Sequence, residues 1–381
     1  MKWHIVTGEY PPQPGGVSDY TRVVANGLAA VGDAVHIWAP HTAEPELADR
    51  GVTVHRMAGR FGARALCRLD ADLAAVEPAK LLIQYVPQAF GWKGMNLPFC
   101  IWLYTRRKLA PVVMFHEVMY PLERGRAPRE NVLGVVTLAM AALVARAAAR
   151  IFVSTPLWQE ILRTRVKVSR PSEWLPLPST VPVIHDAAGV LEVRRRLGVA
   201  NGIVLGHFSS YPETTRRLLK RLVPQALSVN PSLSVILIGA GSEDCRAAIA
   251  ADAPELTGRV HATGRLDPAD LSRHLAACDL MLQVYPDGAC ARRTTLIAAI
   301  AHGRPVLSTA GRATESLWAQ SGAIAIVDQA DEALICASIA ELATDSRLRV
   351  RYASAAAALY RERFDVRHTI AMLRDTRCAS Q

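Results

Sequence analysis

Short apolar runs alternate with amphipathic stretches along most of the chain, the pattern of strands buried on both faces with helices laid over them. Residues 3–6 predict a first strand, followed by a Gly- and Pro-rich loop (EYPPQPGG) and a helix over about 18–31. Further strands are predicted at 34–39, 52–56, 80–85 and 111–115, the last running into His116 and Glu117. A helix over 131–149 and a strand over 151–154 close the first half. Between about 173 and 189 the period lapses into a proline-bearing stretch, which predicts a linker.

A second series then begins. Strands are predicted at 203–208, 234–239, 260–263, 280–284, 305–308 and 323–327, with helices at 214–228, 243–251, 268–276 and 293–302 between them. Thereafter the pattern is helical to near the end. Strands and helices alternating at this spacing predict an α/β protein of two Rossmann-like domains facing one cleft. Ligands of open parallel sheets bind beyond the carboxyl ends of the strands, so the residues just after each strand are the ones to weigh.

Gly15 and Gly16 follow the first strand and open a helix. They fit either close approach of backbone N–H groups to an anionic ligand, or a plain turn with Ser18 as N-cap. The run is not a dinucleotide-binding GxGxxG. His116, at a buried strand's end, either faces a ligand as a hydrogen-bonding or acid–base group or is satisfied by local backbone. Gly264 and Arg265 stand in the same relation to the strand at 260–263, and Arg265 faces a ligand or solvent. The most informative stretch is YPDGACARRTTL, residues 285–296. Arg292 and Arg293, with the first helical N–H groups at Thr294 and Thr295, would make a strong anion site. Arginines in a helix's first turn oppose its dipole, so their placement wants a reason; the plain alternative is that one pairs with Asp287.

Composition narrows the classes. The 381 residues are half hydrophobic and one-fifth charged, a globular balance with room for two cores. The net charge of +10 suits an anionic substrate, lipid head groups or nucleic acid. Nucleic acid is disfavoured, since the basic residues are dispersed without aromatic interleaving. Seven scattered cysteines without CxxC pairing or metal-like spacing, and Lys2-Trp3 leading straight into a strand, point to a reduced cytoplasmic setting. The apolar stretch 132–145 is shorter than a span and reads as a core helix, with an exposed membrane-touching helix as the alternative. Arg106, Arg107 and Lys108 near Phe99, Trp102 and Leu103, followed by Arg124, Arg126 and Arg129, fit a peripheral contact on the inner membrane face or a solvated basic surface.

Three passages carry a resemblance across nearly the whole chain. They are the opening EYPPQPGGVSDYTRVVANGLAAVGDAVHIWAP, the segment VILIGAGSEDCRAAI…VHATGRLDPADLSRHLAACDLMLQVYP, and AAIAHGRPVLSTAGRATE. Together they resemble the retaining glycosyltransferases of the GT-B fold, in the large group of mannosyl- and glucosyltransferases of polysaccharide and glycolipid assembly. The resemblance implies an N-terminal acceptor domain over 1–180, a nucleotide-sugar domain over 190–358, and a helix from about 359 to 381 crossing back to the first domain. It places Gly15 and Gly16 by the donor phosphates, His116 by the transferred sugar, and Gly264 and Arg265 by the base.

Two departures stand out. The family's paired glutamates fall at Cys290 and Ala298, and its diphosphate-binding arginine and lysine at about His207 and Glu213. Arg292 and Arg293, helped by Arg216 or Arg217, are the available substitutes, and Asp287 is the candidate for hydroxyl recognition. This stretch is similar to a branch of the family bearing a DGxxxRRxTL pattern. The resemblance thus implies a hexosyltransferase moving a sugar with retention from a nucleotide-sugar donor to a hydroxyl of a glycan, a lipid-linked acceptor or a small molecule. No metal or other cofactor is implied, as no DxD follows a suitable strand. The competing readings are a non-transferring scaffold that binds a nucleotide sugar or a partner enzyme, and a sugar-nucleotide isomerase, for which Glu117 and Asp287 are the carboxylates on offer.

Overall fold

The computed structural model describes residues 1–45, 48–75, 79–122, 127–199, 202–328 and 331–375. They divide into two units, Met1–Thr180 with Val366–Gln381, and Val181–Asp365.

The first unit is built on a seven-stranded parallel sheet. Its strands are β1 (Lys2–Thr7), β2 (Ala34–Pro40), β3 (Val52–Met57), β4 (Lys80–Tyr85), β5 (Val112–Phe115), β6 (Arg150–Val153) and β7 (Ser172–Trp174), in the order β3-β2-β1-β4-β5-β6-β7. Successive side chains of a strand point to opposite faces, so each strand needs apolar residues in both phases. Ile83, Val113 and Ile151 lie in register across β4, β5 and β6 and belong to one core. Ile5, Leu82, Met114 and Phe152 belong to the core on the other face.

Residues 173 and 174 belong to β7, where the sequence predicted linker. That strand has three residues, too few to show a period, and it is held to β6 by its ladder and by an Arg150–Glu173 ion pair at 2.7 Å. The linker's other end is also ordered: a helix begins at Ala187, with Asp186 accepting the Gly189 N–H at 2.9 Å as its cap.

The chain returns to the first unit at its end. The helix Val366–Arg374 packs on the helix Gly16–Ala30, with Ile370 filling the space a Cβ on Gly27 would need. Burial of Ile370 and Leu373 there contributes about 1.5–3 kcal/mol each. Arg150 donates to the Met372 carbonyl at 2.7 Å, and Arg374 lies 3.2 Å from the buried Asp33. The turn Tyr360–Phe364 stays with the second unit, where Phe364 stacks on Trp318. Positions 376–381 of the tail lie outside the described residues.

The second unit carries a six-stranded parallel sheet: β8 (Ile203–Phe208), β9 (Leu233–Ile238), β10 (Val260–Ala262), β11 (Leu280–Gln283), β12 (Val306–Ala310) and β13 (Ala325–Asp328). Its order is β10-β9-β8-β11-β12-β13. Val260, Val235, Leu205 and Leu280 form one register row through its core. The strand order reverses between β8 and β11. Helices leave the two strands toward opposite faces there, and the carboxyl ends part to form a crevice.

Candidate functional site

A cavity of about 510 Å3 occupies that reversal point in the second unit. It is lined by the end of β8 (His207), the turn after it (Ser209, Ser210, Pro212), the first turn of the helix Glu213–Val229 (Thr214, Thr215), and Gln283 at the end of β11 with the stretch that follows to Asp287. Arg292, Arg293, Thr294, Thr295 and Arg312 complete it. The structure thus brings together five of the residues singled out in the sequence: Asp287, Arg292, Arg293, Thr294 and Thr295.

The two arginines sit at the mouth of the helix Thr294–Ala301, whose first turn has no side-chain cap. Uncapped N–H groups and the helix dipole favour an anion at this point. Both guanidinium groups turn to Asp287: Arg292 at 3.3 Å, and Arg293 in a short contact with the other carboxylate oxygen. Arg293 also lies over the Tyr285 ring, 4.8 Å from its centre, and its Nε is buried without a partner. One carboxylate therefore holds two cations in place, and with Arg312 the cavity keeps an excess of positive charge.

A hydrogen-bonded chain fixes the floor. Oriented to satisfy both its polar atoms, the Gln283 amide pairs with the N–H and C=O of Phe208 at 3.2 Å each and donates to the Tyr285 hydroxyl at 3.1 Å. Tyr285 and Thr295 share a hydroxyl contact of 2.8 Å. Gln283 thereby stitches β8 to β11 where their ladder has ended. Beside it His207 is buried, with Nδ1 unpartnered, and burial pushes its pKa down to about 3. It is a neutral hydrogen-bonding group at pH 7 and not a substitute cation.

The loop 287–293 is clamped from behind. Glu315 accepts the Ala291 N–H with both oxygens (3.0 and 3.1 Å) and the Trp318 indole N–H at 2.8 Å, and burial raises its pKa. Cys290 and Ala298, where paired glutamates would fall, are both buried. The carboxylate against this loop therefore comes from Glu315.

Other singled-out residues of the second unit lie elsewhere. Arg216 is outside the cavity lining and pairs with Glu213 at 2.7 Å. Its place on the helix's outer turn, a residue beyond Thr215, explains the difference. Gly264 and Arg265 follow the edge strand β10, two strands from the crevice. Gly264 has φ +63° and donates to Ser242 Oγ at 2.9 Å, closing a turn over Glu243, while Arg265 is exposed. His207, Ser209, Ser210 and Arg312 are lining residues that were not singled out as site residues. The strand-end rule applied to β8 and β12 points to each of them.

In the first unit, the helix at the glycine loop begins at Gly16, not Ser18, and Ser18 Oγ donates to the Gln13 carbonyl at 2.6 Å. The N–H groups of Val17 and Ser18 donate to Glu9 Oε1 at 3.1 and 3.0 Å. An internal carboxylate thus already sits on this helix end, and a Cβ on Gly15 would run into it. Gly16 is exposed with nothing near its Cβ position. His116 is brought close to this helix by an edge-to-face contact with Tyr20, 4.7 Å between ring centres. Its Nε2 meets Gln84 Oε1 at 2.8 Å, and burial pushes its pKa down to about 3. As placed, the imidazole is a neutral hydrogen-bonding group at pH 7. Glu117 follows it, half-buried.

Residues 201–345 match the family described as Glycosyl transferases group 1. The match contains every residue of the cavity. Among curated proteins no sequence matches. Solved structures resemble the fold over nearly the whole length. HepE of Anabaena, in complex with UDP and glucose, has a TM-score of 0.67 at 18% identity, with 98% of each chain covered. WaaG, a glycosyltransferase involved in lipopolysaccharide biosynthesis, has 0.68 at 14%, again with 98% of each covered. Sucrose-phosphate synthase from Thermosynechococcus elongatus has 0.70 at 16%, covering 98% of this chain and 97% of the other. The two parallel sheets with their flanking helices are the two-domain α/β GT-B fold.

Proposed function

We propose that the protein transfers a hexosyl group, with retention, from a nucleotide-activated donor to an acceptor hydroxyl on a glycan, a glycolipid or a small molecule. The observation that carries this is Arg292 and Arg293 at an uncapped helix N-terminus, in a cavity at the reversal point of a sheet that matches group 1 glycosyl transferases. The similar HepE structures hold UDP with glucose and UDP-glucose, which supports the same ligand class here.

Departure of a nucleoside diphosphate places negative charge on the β-phosphate, and preorganised cations and N–H dipoles are the ordinary remedy. On this reading Arg292, Arg293 and the N–H groups of Thr294 and Thr295 take the diphosphate, with no metal required. Tyr285, Thr295 and neutral His207 offer hydroxyl and imidazole partners for the donor's uncharged parts. Asp287, the one carboxylate of the cavity lining, is engaged by both arginines rather than free as a nucleophile, so the diphosphate would leave from the face the acceptor attacks and help to deprotonate it.

The test is thermal stability of the purified protein against UDP-, GDP-, ADP- and TDP-sugars, followed by NMR of the anomeric product formed from the donor that shifts it. A donor-specific shift with an anomer-retained product supports the reading. The contact of Asp287 with both arginines favours a second one, a scaffold that binds the nucleotide sugar without turnover; a shift with neither transfer nor donor hydrolysis would select it.

A further inference from the structure

The first unit presents an apolar face that its own core does not use. The helix Pro128–Ala147 is apolar from Val132 to Ala145 apart from Thr137. Gly134, Thr137, Met140, Ala141 and Val144 are buried, packing it into the unit. On the opposite side Val132 and Val135 are 58% and 59% exposed, and Ala139 continues the stripe one turn on. By length and composition this helix could cross a membrane, but only 39% of its most apolar window is buried and the buried side fastens it to the sheet. Such a helix can lie on a bilayer surface without spanning it.

The helix Leu97–Thr105 packs beside it and adds Leu97 and Ile101, the latter 48% exposed. The preceding turn adds Met95 and Trp92, the latter 54% exposed, and is tied to the long helix where Gly94 meets Leu133. Trp92 and Lys93 both adopt left-handed backbone, φ 54° and 53°, at a cost of about 1–2 kcal/mol each. Phe99, Trp102 and Leu103, the residues expected at a membrane contact from the sequence, point inward and are buried. The contact face is the other side of the same helix.

Charge identifies the occupant. Lys93, Arg107, Lys108 and Arg129 are exposed on or next to these elements, while Arg124 and Arg126 lie outside the described residues. The first unit holds 24 Lys and Arg against 15 Asp and Glu, and the second holds 20 against 19. Nearly all the net charge is therefore on the unit that bears the apolar face. Exposed apolar side chains rimmed by cations fit acyl chains beneath anionic head groups, each basic residue near such a surface adding about 1 kcal/mol.

We infer that the first unit docks on an anionic lipid surface through the outer sides of the helices Leu97–Thr105 and Pro128–Ala147 and the turn at Trp92. This does not depend on the donor-site reading, since vesicle binding requires no turnover.

The test is flotation of the full chain with phosphatidylcholine vesicles, with and without phosphatidylglycerol. Binding is expected only with phosphatidylglycerol and is expected to fall with salt. The pairs Val132→Asp with Val135→Asp, and Arg107→Glu with Lys108→Glu, should each lower the partition about tenfold or more. Because all four side chains are exposed, melting temperatures should stay unchanged. No flotation of the native chain, or flotation of both double variants equal to that of the native chain, would overturn the inference. So would a concentration-dependent dimer in sedimentation velocity that Val135→Asp breaks while vesicles bind neither form.

Discussion

Arg293 donates to Asp287 across the turn that opens the helix Thr294–Ala301, and the Tyr285 ring beneath holds the guanidinium there. The contact gives a half-buried cation a partner before any ligand arrives. It also means that an incoming diphosphate competes with a resident carboxylate for the same donors.

Asp287→Asn should therefore separate binding from transfer. Removing the charge relieves repulsion toward a bound diphosphate, and we expect nucleoside diphosphate to bind about tenfold more tightly. Transfer should fall if Asp287 also holds a donor hydroxyl, so kcat drops while affinity rises. Titration calorimetry and steady-state rates on one preparation read both.

Gly288→Ala should lower stability by about 2–4 kcal/mol. Gly288 has φ +90°, and a Cβ there would meet the Gly311 nitrogen at 2.4 Å and Thr314 Oγ1 at 2.2 Å. The backbone of Gly311 cannot retreat, because Ala313 N–H donates to the Asp287 carbonyl at 2.8 Å. Urea denaturation measures the loss, and nucleotide affinity should fall with it as the cavity rim shifts.

The two αβ series, the joint near 180 and the strand ends worth inspecting were legible because buried parallel strands leave unbroken apolar runs. YPDGACARRTTL was legible because two arginines oppose a helix dipole. Other features had no local signal. Glu315 reaches Ala291 from 24 positions away, and Glu9 reaches Ser18 across a proline loop, contacts that only the fold creates. Arg216 carries the right charge one residue beyond a lining threonine, a distinction that periodicity over a whole helix does not make.

Acid should destabilise the protein well above the carboxylate range. Burial pushes His116 and His207 down to about 3, and His4 to about 4 with help from nearby His36 and His55. In the unfolded chain each takes up a proton near 6.5. Stability from these groups is thus complete above about pH 6.5 and is lost progressively as pH falls toward 4 and then 3. Denaturation midpoints from pH 8 to pH 4 should fall steeply below 6.5. Replacing His207 with Asn should flatten that slope, and an unchanged slope would show that His207 is not buried neutral.

The most direct test of a diphosphate site in the second unit is titration calorimetry with UDP, GDP, ADP and TDP on the native chain and on an Arg292→Ala, Arg293→Ala double variant. One nucleotide should bind the native chain, and the double variant should lose about 1.5–3 kcal/mol per arginine, an affinity drop of roughly a hundredfold or more. Binding that is equal in the two proteins, or no binding of any nucleoside diphosphate to the native chain, would contradict it.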